Sequence, residues 1–74
     1  MEVKVISPER ILFEGEATSV SVPGTSGQFE VLNHHAPIIS SLEKGVVSVG
    51  GENFEIVSGF IEVRDNQVDI CVEC

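Results

Sequence analysis

The sequence holds no Trp and no Tyr, two Ala, three Leu and four basic side chains among 74 residues. Each scarcity excludes something. Ala and Leu are the strongest ordinary helix formers, so their shortage argues against an all-helical bundle. Lys4, Arg10, Lys44 and Arg64 are too few and too scattered to neutralise a row of phosphates. That removes nucleic acid as a partner and, on the same grounds, direct attachment to anionic lipid. The longest aliphatic or aromatic run is Ile11-Leu12-Phe13, far short of the ~20 residues that span a bilayer. The opening Met1-Glu2-Val3-Lys4 alternates in polarity, so it has no signal-peptide core. The expected compartment is the cytosol, where two thiols stay reduced.

What is abundant points to strands. Twelve Val and seven Ile supply β-branched side chains, and seven Gly with three Pro break them into short runs. The net charge is −8, with a pI near 4.4, yet 42% of residues are hydrophobic, enough apolar surface to drive folding. A chain this short forms one small domain and buries roughly 60% of its extended surface.

Period-two alternation places Val3 and Val5 on one face of a first strand. Ser7-Pro8-Glu9-Arg10 ends it, and a second stretch runs from Ile11 to Gly15. Thr18, Val20 and Val22 form the next inward set, followed by the turn Pro23-Gly24-Thr25-Ser26-Gly27. Phe29 and Val31 share a face of a strand from Gln28 to Leu32, and Asn33-His34-His35-Ala36-Pro37 is a loop. Residues 38–42 read equally as one helical turn or as extended backbone. Val47 and Val49 precede a tight hairpin at Gly50-Gly51, after which Phe54 and Ile56 face inward. Ile61 and Val63 precede a second hairpin turn at Asp65-Asn66. The last strand alternates most cleanly, with Val68, Ile70 and Val72 on one side and Gln67, Asp69, Cys71 and Glu73 on the other. The fold class expected is all-β: a small flattened sandwich or barrel of about 8–10 short, mostly antiparallel strands. Its final three strands are expected to form an antiparallel meander.

No motif supports catalysis. Cys71-Val72-Glu73-Cys74 has the C-x-x-C spacing, but a structural zinc needs four ligands and no second pair exists. On a strand, residues three apart also point to opposite faces. Adjacent His34 and His35 diverge on extended backbone, and no nucleophile or orienting carboxylate can be paired with them by spacing. Glu14, Glu16, Glu52 and Glu55 read as solvated strand-face charges. The glycine turn at Gly24–Gly27 lacks the Lys and the following helix of a P-loop. Neither catalytic, metal nor cofactor residues are assigned.

The order of the signals is more specific than any one of them. Val5-Ile6-Ser7-Pro8-Glu9, Leu12-Phe13-Glu14-Gly15-Glu16 and Val22-Pro23-Gly24 come first. Gly27-Gln28-Phe29, Val31-Leu32, His35-Ala36-Pro37 and Gly45-Val46-Val47 follow, then Ser58-Gly59-Phe60-Ile61-Glu62-Val63 and Asn66-Gln67-Val68. Together they resemble, over essentially the whole chain, the N-terminal domain of the epsilon subunit of rotary F-type ATP synthases. The resemblance implies a β-sandwich that clamps the gamma subunit of the central stalk and rests on the polar loops of the c-ring. It also implies a non-catalytic role in coupling ion-driven rotation to ATP synthesis, at the cytoplasmic face of the energy-transducing membrane. The family's ring- and stalk-facing loop aligns with Gly27 to Pro37, which makes Gln28, Glu30, His34 and His35 the contact candidates, His35 matching the motif most closely. Where the family commonly has Gly this sequence has Glu30, altering backbone and charge there. Many members continue into a two-helix C-terminal domain; this sequence stops at Cys74, so neither ATP binding nor helix-mediated restraint of hydrolysis is assigned to it. The alternative is a small cytosolic metal- or thiol-dependent binding module using Cys71, Cys74, His34 and His35.

Overall fold

The computed structural model describes all residues, 1–74, and contains strands only. These are β1 (Glu2–Ile6), β2 (Ile11–Glu16), β3 (Ser19–Gly24), β4 (Gly27–Leu32), β5 (Ile38–Leu42), β6 (Gly45–Val49), β7 (Glu52–Ile56), β8 (Ser58–Arg64) and β9 (Gln67–Glu73). They join edge to edge in the order β2-β1-β9-β8-β5-β3-β6-β7, with β4 on the other side of β3. The ladder curls back on itself as a sandwich of two layers, β2-β1-β9-β8-β5 and β4-β3-β6-β7. Between β3 and β5 the pairing is a single residue pair, Gly24 with Leu42. Hydrogen bonds from Glu43 N–H to Pro23 O (2.9 Å) and from Thr25 N–H to Ser41 O (3.3 Å) hold that corner. All pairs are antiparallel except β1 with β9, which run parallel from Glu2–Gln67 to Ile6–Cys71.

Alternation explains the core. Val3, Val5, Val20, Val22, Val31, Val47, Val49, Ile56, Ile61, Val63, Val68, Ile70 and Val72 are all buried, as their period-two spacing requires. No polar or charged side chain is buried with them. The core is dry, and its stability comes from apolar area removed from water. Two hairpins fix the register. Gly50 and Gly51 (φ 54° and 86°) join β6 to β7, and Asp65 and Asn66 (φ 51° and 59°) join β8 to β9. Positive φ at both central residues is the type I′ pattern, whose twist matches that of the flanking strands.

Three expectations are settled or corrected here. Residues 38–42 are a strand; the pattern is obscured because Ser40 occupies its middle inward position while Ile39 points out, 76% exposed. Thr18 is exposed rather than inward. It sits in a bend before β3, after Ala17 has turned its N–H to Met1 O (3.0 Å). The final three strands do not form a meander: β7 pairs only with β6, while β8 pairs with β5 and β9. The single intervening residue, Val57, is too short a link for a reversal. The chain instead bends there and passes from one layer to the other, with Val57 N–H held by Glu73 O at 2.7 Å.

Gly59 has no side chain, and that is what lets β8 lie against β9. A Cβ there would collide with the Cys71 carbonyl oxygen and sit 3.2 Å from Val72 Cα. Gly59→Ala is therefore expected to cost about 1–3 kcal/mol of unfolding free energy, measured as a lower urea midpoint at unchanged slope. A midpoint matching the parent's would mean the two strands have more room than this.

Candidate functional site

The four contact candidates lie along β4 and the loop after it. β4 is an edge strand, bonded only to β3. Phe29 packs against the core and Val31 lies within it, so Gln28 and Glu30 point outward, followed on the same face by Leu32 at 53% exposure. Gln28 Nε2 donates to Ser21 Oγ at 2.7 Å across the strand pair. Glu30 stands opposite Ser21 in the register and is exposed.

His34 and His35 follow in the loop at residues 33–37. His34 adopts a left-handed backbone (φ 65°), tolerated by His better than by a β-branched residue. Its side chain is exposed, while its N–H donates to Asn66 Oδ1 at 2.9 Å. His35 is half-buried; its N–H donates to Leu32 O (3.2 Å), and its Nδ1 lies 2.7 Å from Ala36 O. Asn33 Oδ1 accepts from the Met1 ammonium at 2.7 Å. The loop is thus fastened at Asn33 to Met1, just ahead of β1, and at His34 to the β8–β9 turn. Gln28 stands at the far end of β4, about 14 Å from Leu32 at strand rise. The candidates form a line along one edge, with the histidines at one end and Gln28 at the other.

The cysteines are elsewhere. Cys71 is half-buried on β9 and Cys74 is exposed beyond it, both as free thiols. Five residues of strand, roughly 17 Å, separate Cys71 from the turn that holds His34. No three His, Cys, Asp or Glu side chains are gathered so as to hold a metal ion.

Sequence reading missed a second surface. Ile11 pairs with Ile6, Ile6 with Cys71 and Cys71 with Phe60, so these four form one outward row across β2, β1, β9 and β8. Ile11 is 52% and Phe60 49% exposed. Ile6, Cys71 and Phe60, with Pro8, Ser58 and Glu73, border a groove of about 520 Å³. The signal was present in the alternation of β9, where Cys71 falls on the outer face, but the cross-strand register that aligns its neighbours is non-local. No helix in the structure is long and apolar enough to cross a membrane.

Comparison with known proteins is consistent with this architecture. The family model "ATP synthase, Delta/Epsilon chain, beta-sandwich domain" matches residues 1–74. The ATP synthase epsilon chain of Leptospira borgpetersenii is 46% identical over 99% of this chain, and the chain spans 61% of that relative's length. The epsilon chain of Chlorobium limicola is 32% identical over 97% of this chain, and there the match spans 88% of the relative. A chain in the cryo-EM structure of the Tetrahymena thermophila mitochondrial ATP synthase central stalk and c-ring superposes with a TM-score of 0.88 over the whole chain at 16% identity, covering 63% of that chain. At that identity the likeness is one of fold.

Because Gln28 and Glu30 are exposed and the Gln28–Ser21 bond is itself at the surface, Gln28→Ala and Glu30→Ala should each leave the unfolding free energy within about 0.5 kcal/mol of the parent. Urea denaturation checks this; a loss well beyond that would give either residue a structural role.

Proposed function

Because the chain belongs to the β-sandwich domain family of ATP synthase delta and epsilon chains, we propose that it is a non-catalytic docking module of the central stalk. It seats on the gamma subunit and on the polar loops of the c-ring, and it helps transmit ion-driven rotation to ATP synthesis. It works at the cytoplasmic face of the energy-transducing membrane, peripheral to it and held there through the complex. The observation that carries this reading is the family match over the full chain, joined by the named likeness to a chain of a central stalk and c-ring assembly.

The surface chemistry supports it. Gln28, Glu30, His34 and His35 line an open strand edge and its loop, and the chain's net charge of −8 favours basic partner loops through charge complementarity. The outward row Ile11, Ile6, Cys71 and Phe60, exposed at its two ends, is the kind of apolar surface a protein partner covers. A rigid sandwich with a dry core suits a part that transmits force and performs no bond chemistry.

His35→Ala and Glu30→Lys, each introduced into the chain and mixed with a gamma–c-ring subcomplex, are expected to weaken association about tenfold, a loss near 1.4 kcal/mol, with circular dichroism unchanged. Parent-like association by both variants would remove the edge and loop from the docking surface.

A further inference from the structure

We propose that Asn66 is the positioning residue that presents the His34–His35 loop to its partner, an inference that rests on that loop being a partner contact. Asn66 belongs to a different hairpin, the β8–β9 turn, and has left-handed backbone (φ 59°). Three segments meet on it. Its turn closes β8 onto β9 through the Arg64–Gln67 pair. Its carbonyl accepts the Glu2 N–H at 3.1 Å, which starts the parallel β1–β9 ladder. Its side-chain Oδ1 accepts the His34 N–H at 2.9 Å.

The last of these bonds is the one with a consequence for recognition. His34 also holds left-handed backbone (φ 65°), a conformation that non-glycine residues adopt only where their surroundings impose it. The bond to Asn66 is the structure's hydrogen bond to the His34 N–H, and it arises from a residue 32 positions away. Remove the acceptor and only the turn bond from His35 N–H to Leu32 O (3.2 Å) still restrains His34, which is then freer to leave left-handed backbone. That swings His35, Ala36 and Pro37 relative to β4, because His35 follows directly in the chain. A loop that must be ordered at the moment of docking binds more weakly than one held in advance. Asn66 therefore acts on the partner through His34, without needing to touch it.

The turn role and the acceptor role separate by substitution. Asn66→Gly keeps the left-handed turn, since Asp-Gly is a preferred type I′ pair, and deletes Oδ1. Asn66→Asp keeps an acceptor oxygen and tolerates the same backbone. In Asn66→Gly the His34 amide should exchange with solvent about five- to tenfold faster by NMR, as expected for losing one hydrogen bond, while core amides of β8 and β9 stay unchanged. The same variant should bind the gamma–c-ring subcomplex several-fold more weakly, and Asn66→Asp should restore both measurements. Unchanged His34 exchange in Asn66→Gly overturns the proposal, because the bond then fixes nothing. If exchange rises but binding holds, while His35→Ala weakens binding, the loop is a contact and Asn66 does not position it. If neither variant weakens binding, the contact reading fails and the positioning role fails with it.

Discussion

Residues 2–6, at one end of the chain, pair in parallel with residues 67–71 at the other. Joining the chain's first strand to its last in parallel closes the longest loop in the molecule, and the entropy of that closure must be offset by the core formed at the same time. Neither flanking hairpin, β1–β2 or β8–β9, buries a face by itself, and isolated two-stranded hairpins are marginal in water. Only when the two ends pair do Val3 and Val5 meet the layer that carries Val68 and Ile70. The sixteen buried hydrophobic residues then form one cluster, without a disulfide to hold it. Such a structure should unfold as one unit and fold slowly for its size, because its decisive contacts are far apart in sequence.

That same closure is what builds the candidate site. The turn that begins β9 lies beside the start of β1, so Asn66 takes the Glu2 N–H on its carbonyl and the His34 N–H on its side chain. The loop after β4 is thus tied to this long-range junction, while β4 itself is held by its pairing with β3.

The local half of this was legible in the sequence. Alternation in Gln67 to Glu73 identified Val68, Ile70 and Val72 as core because a one-residue slip would expose all three. Gly50-Gly51 and Asp65-Asn66 announced their turns because few other residue types accept left-handed backbone. The hidden half was non-local or lacked a period. Val57 gives no sign that the chain continues across a bend instead of reversing. Ile39 and Ser40 exchange the expected polarities of outside and inside on β5. The parallel β1–β9 partnership cannot be read from either strand alone. For the candidate site, the motif order singled out Gln28, Glu30, His34 and His35, but only the fold shows that they lie in a line along an edge. The outward row from Ile11 to Phe60 and the hold of Asn66 on His34 both depend on register between distant strands.

The proposed stalk role requires this sandwich to recognise the gamma subunit. Native mass spectrometry of the 74-residue chain mixed with gamma from the same organism tests it most directly. A stable one-to-one complex at micromolar concentrations is the expected result. Two separate species across that range, with both proteins folded, would contradict it.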